Sequence, residues 1–128
     1  MQRLRRPIRE TAYPVWNIDR LTKENTDYRR VLYTGHEMQV VLMTLLPGQE
    51  IGKERHEAEQ FIKVESGRGW AEFGGNRYDL SSGTALLIPP NTHHNVGASP
   101  ITVSPDGLKF YTIYSPPQHP LFTVQQNK

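Results

Sequence analysis

A chain of 128 residues with 36% apolar and 22% charged side chains can build one hydrophobic core but not two. Its lack of cysteine excludes a disulfide framework and a thiolate-ligated metal, and no apolar run approaches the ~20 residues of a membrane-crossing helix. The net charge of +2 is unevenly spread: Arg3, Arg5, Arg6 and Arg9 lie in a basic arm over residues 1–10, and the rest carries a slight acidic excess.

The arm lacks the apolar stretch of a secretory signal. No interleaving of basic and aromatic residues suggests nucleic-acid binding, and the arm reads as a solvated terminus. The expectation is a cytoplasmic protein with neither a membrane nor a nucleic-acid partner. Residues 18–30, IDRLTKENTDYRR, give the best candidate for a helical turn, weakened by Thr22 and Asn25. Strand-like runs follow at 31–34, 39–46, 61–65, 70–73, 77–80, 84–88 and 108–114. Between them stand turn sequences such as LPGQ, ESGRG and SPDG, and FGGNRY is a hairpin signal. The final TVQQNK reads as frayed. This spacing predicts a single all-β domain over residues 1–128, a sandwich or small barrel.

Side-chain alternation sets the faces. If Gln60 points inward, so do Ile62 and Val64, and Phe61, Lys63 and Glu65 point outward, with Phe61 an apolar misfit. Residues 40–46, VVLMTLL, are apolar on both faces and need cover on both sides. Another sheet or a second subunit would supply it, and a homodimer is expected.

Chemistry concentrates in two segments. In the first, PGQEIGKERHEAEQFIKVESGRG, Glu54 and His56 are two apart and share a face if the chain is extended, and Gln60 opens the next strand. In the second, SSGTALLIPPNTHHNV, a stiff Pro-Pro turn leads to a return strand carrying His93 and His94. These neighbours point to opposite faces, so only one looks into a barrel. Two imidazoles, a carboxylate and an amide oxygen suit a divalent first-row metal.

The two segments resemble, in order, the two motifs of the cupin superfamily, G-x5-H-x-H-x3,4-E-x6-G and G-x5-P-x-G-x2-H-x3-N. The anchors here are Gly48, Glu54, His56, Gln60 and Gly67, then Gly83, Pro89, Asn91 and His94, within a motif core spanning 47–96. Glu54 stands where the family usually has its first histidine and Gln60 where it has its glutamate. Asn91 replaces the glycine and Ala98 the final asparagine. The chain also resembles a subgroup of small bacterial cupins with this Glu/His/Gln arrangement and a YTIYSPP segment, here residues 111–117. The resemblance implies a cupin barrel (a double-stranded β-helix, or jelly roll). It also implies one divalent transition metal, Fe, Mn, Zn or Ni, held by Glu54, His56, Gln60 and His94. Gln60, a weaker donor than a carboxylate, is either a ligand or a hydrogen-bonding support for one.

Glu54 is the candidate catalytic residue, as ligand or as base. Ile62, Tyr111, Tyr114 and His119 are candidates for a substrate pocket. The two tyrosines fall on opposite faces of their strand, so at most one lines the cavity. His93 is expected to face outward, His36 to be solvated, and Arg55 to lie at the surface or the mouth. Two classes of function stay open. One is a metal-dependent enzyme acting on a small organic molecule, by dioxygenase or by isomerase/lyase chemistry. The other is a non-catalytic barrel that binds a sugar or another small ligand. A barrel whose site has decayed is the weakest reading.

Overall fold

The computed structural model describes residues 14–128. The basic arm over residues 1–10 lies outside the described residues. Helix α1, Ile18–Glu24, comes first. The Asn17 side chain caps it by accepting from the Arg20 N–H at 3.1 Å. Asp19 in the first turn and Lys23 in the last suit the helix dipole and pair with each other at 3.2 Å. The residues that weaken the helical pattern have definite places. Thr22 is buried and returns its hydroxyl to the Ile18 carbonyl. Asn25 ends the helix in extended backbone and donates to Asp27 O and Thr44 Oγ1. Among the described residues, no helix is long and apolar enough to cross a membrane.

The strands are β1 (Arg29–Thr34), β2 (Gln39–Leu45), β3 (Glu59–Ser66), β4 (Gly69–Phe73), β5 (Asn76–Leu80), β6 (Ala85–Ile88), β7 (His94–Ala98), β8 (Leu108–Ser115) and β9 (Val124–Gln125). They form a six-stranded sheet, β6-β3-β8-β2-β1-β9, and a three-stranded sheet, β5-β4-β7. The antiparallel, predominantly β architecture is the expected jelly roll. The C-terminal run is not frayed throughout: Val124 and Gln125 pair with Arg30 and Arg29 and extend the large sheet. Their polar neighbours concealed a strand only two residues long.

The main core lies between the sheets. Val41, Met43, Ile62, Val64 and Phe110 come from the large sheet, and Ala71, Leu80, Val96 and Ala98 from the small one. The expected alternation on β3 holds: Gln60, Ile62 and Val64 are all buried. Phe61 is no misfit, because the outer face of this sheet is itself apolar. Phe61 lies opposite Leu87 on β6 and Ile113 on β8, and its ring is 6.4 Å from that of Tyr111.

Every residue of β2 is buried, as its two apolar faces require. The outer cover comes from the chain itself. Leu32, Val40 and Leu42 pack with Trp16, Ile18 and Leu21 of the helical segment. This strand therefore does not by itself demand a second subunit.

Candidate functional site

The segment between β2 and β3 runs along the edge of the small sheet. Glu54 and His94 exchange both main-chain hydrogen bonds, at 2.8 and 3.0 Å, and Asn91 N donates to His56 O at 2.8 Å. These bonds bring two segments together that are some 40 residues apart in sequence. The rings of His56 and His94 are 4.9 Å apart and tilted by 70°. Glu54 Oε1 lies 3.8 Å from His94 Nε2.

Both imidazoles are oriented from behind by a carbonyl two residues away. His56 Nδ1 is 2.9 Å from Ala58 O, and His94 Nδ1 is 2.8 Å from Thr92 O. A carbonyl only accepts, so each Nδ1 carries the proton and each Nε2 presents a lone pair. His94 Nε2 is buried and has no hydrogen-bond partner. Burial, helped by the neighbouring His56, holds the His94 imidazole below its usual pKa range against the opposing effect of the Thr92 carbonyl.

Gln60 is 2% exposed, and its amide orientation follows from its neighbours. The Thr112 hydroxyl has one proton and gives it to Phe61 O at 2.9 Å. It therefore accepts from Gln60 Nε2, also at 2.9 Å, which turns Gln60 Oε1 toward His56 Nε2 at 3.1 Å. His56 thus faces two acceptors with one neutral-state proton. The gap at Nε2 calls for a positive charge, either a second proton or a cation. A separation of 3.1 Å also suits two neighbouring donors around a first-row ion whose bonds are about 2.1 Å. Among the described residues no three His, Cys, Asp or Glu side chains converge as a metal cage. The Gln60 amide oxygen, a neutral donor, stands beside His56 Nε2.

An open cavity of about 420 Å³ sits over this group, lined by Lys53, Glu54, Arg55, His56, Tyr114, Gln118 and His119. Tyr114 is buried, with its ring 5.9 Å from His56 and 5.3 Å from His119. Burial, then the Glu54 charge, pushes its phenol well above the ordinary range, so it stays protonated. Tyr111, the other tyrosine candidate, is not in the cavity. It pairs with Leu42 and Lys63, on the outer face of the sheet. Ile62 is wholly buried in the inner core, two residues along β3 from Gln60. His36 and His93 are exposed as expected, and exposed Arg55 lies at the mouth with Nε 3.3 Å from Asn91 O.

His119 is positioned by Gln39, a residue that no motif marks. Gln39 is fully buried and uses its whole amide. Its oxygen accepts from the N–H groups of Gln118 and His119, and its nitrogen donates to Thr34 Oγ1 and His119 O. The His119 pKa is lowered to about 4, chiefly by burial, with the charges of Arg29 and His56 adding to it. Unfolded histidine titrates near 6.5, so between about pH 6.5 and 4 the unfolded chain binds more protons. His119 therefore costs no stability above pH ~6.5 and removes stability as pH falls toward ~4. Urea unfolding across this range should show a shallower acid loss in His119→Asn than in wild type. Equal slopes would remove His119 from the acid response.

A family model for the cupin domain matches residues 41–103. The chain is 40% identical to BH2720 of Bacillus halodurans, whose crystal structure superposes with a TM-score of 0.83 over 88% of each chain. The chain belongs to the cupin family. It is also 40% identical over 121 residues to the uncharacterized protein YrkC of Bacillus subtilis (strain 168), and spans 63% of that protein's length. The structure of KdgF from Halomonas sp. has the same fold, with a TM-score of 0.63 at 22% identity, over 70% of this chain and 80% of that one.

The departures from the usual cupin motifs have local explanations. Asn91, in place of the motif glycine, has φ of +60°, a left-handed conformation that asparagine tolerates better than most residues. Gly67, which closes the first motif, has φ of +86°, and a Cβ there would meet the Gly107 carbonyl oxygen at 2.0 Å. Ala98 is buried in the small sheet and packs in the core.

Proposed function

We propose that this cupin holds one divalent first-row transition metal through Glu54, His56, Gln60 and His94, and acts as an enzyme on a small organic molecule in the adjoining cavity. The observation that carries this reading is the common aim of the two imidazoles. Each has its Nδ1–H committed to a backbone carbonyl, and the Gln60 oxygen is turned toward His56 Nε2 by Thr112. Such carbonyl anchoring fixes the tautomer that a metal-binding histidine needs. A bound ion would act as a Lewis acid on a substrate oxygen or, if redox-active, support oxygen chemistry.

The protein's own groups supply the rest. Glu54, half-buried at the mouth, is either a ligand of the ion or, once detached from it, the carboxylate able to take a proton from a bound substrate. Tyr114 keeps its proton and walls the cavity beside His56.

The test is the metal content of tag-free protein by plasma mass spectrometry. Close to one equivalent of a transition metal supports the reading. Iron directs the next assay to oxygen uptake, and zinc, manganese or nickel to isomerase or lyase substrates. No metal, even after reconstitution, overturns the reading and leaves a polar ligand-binding barrel. Gln60→Glu should bind zinc more tightly than wild type in competition with a chelating dye, because a carboxylate replaces a neutral oxygen. Thr112 can turn its hydroxyl to donate to the new carboxylate. Unchanged affinity would place Gln60 behind the ligands rather than among them.

A further inference from the structure

Several cations stand in surface cavities of this protein, and most of them are already engaged. Arg77, in a cavity of about 470 Å³ beside His93, pairs with Glu72 at 2.6 Å. Lys23 and Lys109 line another, of about 490 Å³. There Lys23 pairs with Asp19 at 3.2 Å, and Lys109 Nζ donates to Asn25 O at 2.5 Å. Lys53 and Arg55 differ. Both line the cavity of about 420 Å³ over His56, and both are exposed. No described carboxylate forms an ion pair with either.

Water satisfies an exposed cation, so exposure alone assigns no role. Placement does. Arg55 is tied to the site by the same ladder that builds it. Glu54 and His94 exchange main-chain bonds, Asn91 N donates to His56 O, and Arg55 Nε donates to Asn91 O at 3.3 Å. The stem is thereby held, and neither Nη group has a hydrogen-bond partner among the described residues. Lys53 and Arg55 flank Glu54 in sequence, yet its carboxylate lies 3.8 Å from His94 Nε2 and pairs with neither. The walls are aromatic: the rings of His56 and His119 both meet that of Tyr114 edge-on. A cationic lip, aromatic walls and two of the proposed metal donors, Glu54 and His56, thus face one space.

We infer that Lys53 and Arg55 form the anion-binding lip of this cavity, and that the substrate is a small organic carboxylate whose charged group they hold. This rests on the reading of the cavity as a substrate site. The open guanidinium edge matches the two oxygens of a carboxylate, and the lysine ammonium adds a mobile point charge. A monoanion suits the cavity better than a phosphate dianion, because Glu54 in the same lining repels the second charge. A volume of about 420 Å³ is near the lower end for ligand pockets, so the molecule is small. With its carboxylate at the lip, the rest of it lies along Tyr114 and His119, next to His56.

The experiment compares benzoate, its uncharged isostere benzamide and phenylphosphonate by saturation-transfer NMR, since a ring suits the aromatic walls. The proteins are wild type, Arg55→Gln, Arg55→Lys, the double variant Lys53→Gln with Arg55→Gln, and Arg77→Gln as a control at a cation already paired. All three positions are exposed, so the substitutions leave the core intact. Zinc content and circular dichroism are recorded on the same samples. Wild type should prefer benzoate to benzamide. Arg55→Gln should lessen that preference by about tenfold, the worth of one charge-assisted hydrogen bond. Arg55→Lys should keep part of it, the double variant should lose it, and Arg77→Gln should match wild type. Zinc content should be the same in all five proteins. No binding of either ligand to folded wild type, an undiminished preference in the double variant, or an equal loss in Arg77→Gln would each overturn the inference. Tighter binding of phenylphosphonate than of benzoate would overturn the choice of a carboxylate. Equal binding of benzoate and benzamide by a wild type that holds a metal would overturn this inference alone. A preference that depends on Lys53 and Arg55 in a wild type that takes no metal would instead overturn the metal reading and leave this one standing.

Discussion

His94→Ala is expected to weaken zinc binding by at least about a hundredfold, while the protein stays folded. Loss of groups that merely support a ligand costs ten- to a hundredfold in metal affinity, and His94 is itself a proposed ligand. Its Nε2 is buried without a hydrogen-bond partner, so the substitution removes the lone pair aimed at the site and no hydrogen bond from that atom. The local backbone should survive, since His94 and Glu54 are joined through main-chain atoms that alanine retains. His93→Ala is the matched control: the same residue type one position away, exposed just before β7. Chelator competition on both variants, with circular dichroism as the check on folding, decides the matter. Equal zinc affinity in His94→Ala and wild type would remove His94 from the ligand set, and with it the proposed centre.

Phe110→Ala is expected to destabilise the fold by about 3–5 kcal/mol, the range for truncating a fully buried phenylalanine. For a domain of this size that corresponds to a fall in Tm of roughly 10–20 °C. Phe110 is 0% exposed on β8, opposite Met43 of β2 and Val64 of β3, so the cavity left behind would have core residues on both sides. The strands around it are held in two ladders and cannot easily collapse into the space. Leu87→Ala gives the contrast. Leu87 is 54% exposed on the edge strand β6, and its truncation should cost under about 1 kcal/mol. Urea unfolding of the two variants tests the ranking. A loss at Phe110 no larger than at Leu87 would mean that the inner core is not where the stability resides.

Much of this protein was legible from local pattern. Short β-rich runs bounded by Gly, Pro and Asn gave the strands, because turn chemistry acts over a few residues. Alternation along β3 put Gln60, Ile62 and Val64 on one face, because the strand period is two whatever lies beyond it. The order and spacing of Glu54, His56, Gln60 and His94 identified the two segments that meet. β9 stayed hidden because its two residues are held by a partner nearly a hundred positions away, not by their own propensity.

By itself, then, the sequence determined an all-β cupin domain and the two segments that meet at Glu54 and His94. Tertiary structure decided the rest. It covers the outer face of β2 with Trp16, Ile18 and Leu21, a cover that sequence pattern leaves open between another sheet and a second subunit. It put Tyr114 in the cavity and Tyr111 outside it, because strand pairing sets which face is inner. It placed Gln39, fully buried, behind His119. These relations join residues from 10 to 90 positions apart. Hydrogen bonds, burial and ion pairing depend on distance in space, and a linear pattern does not record it.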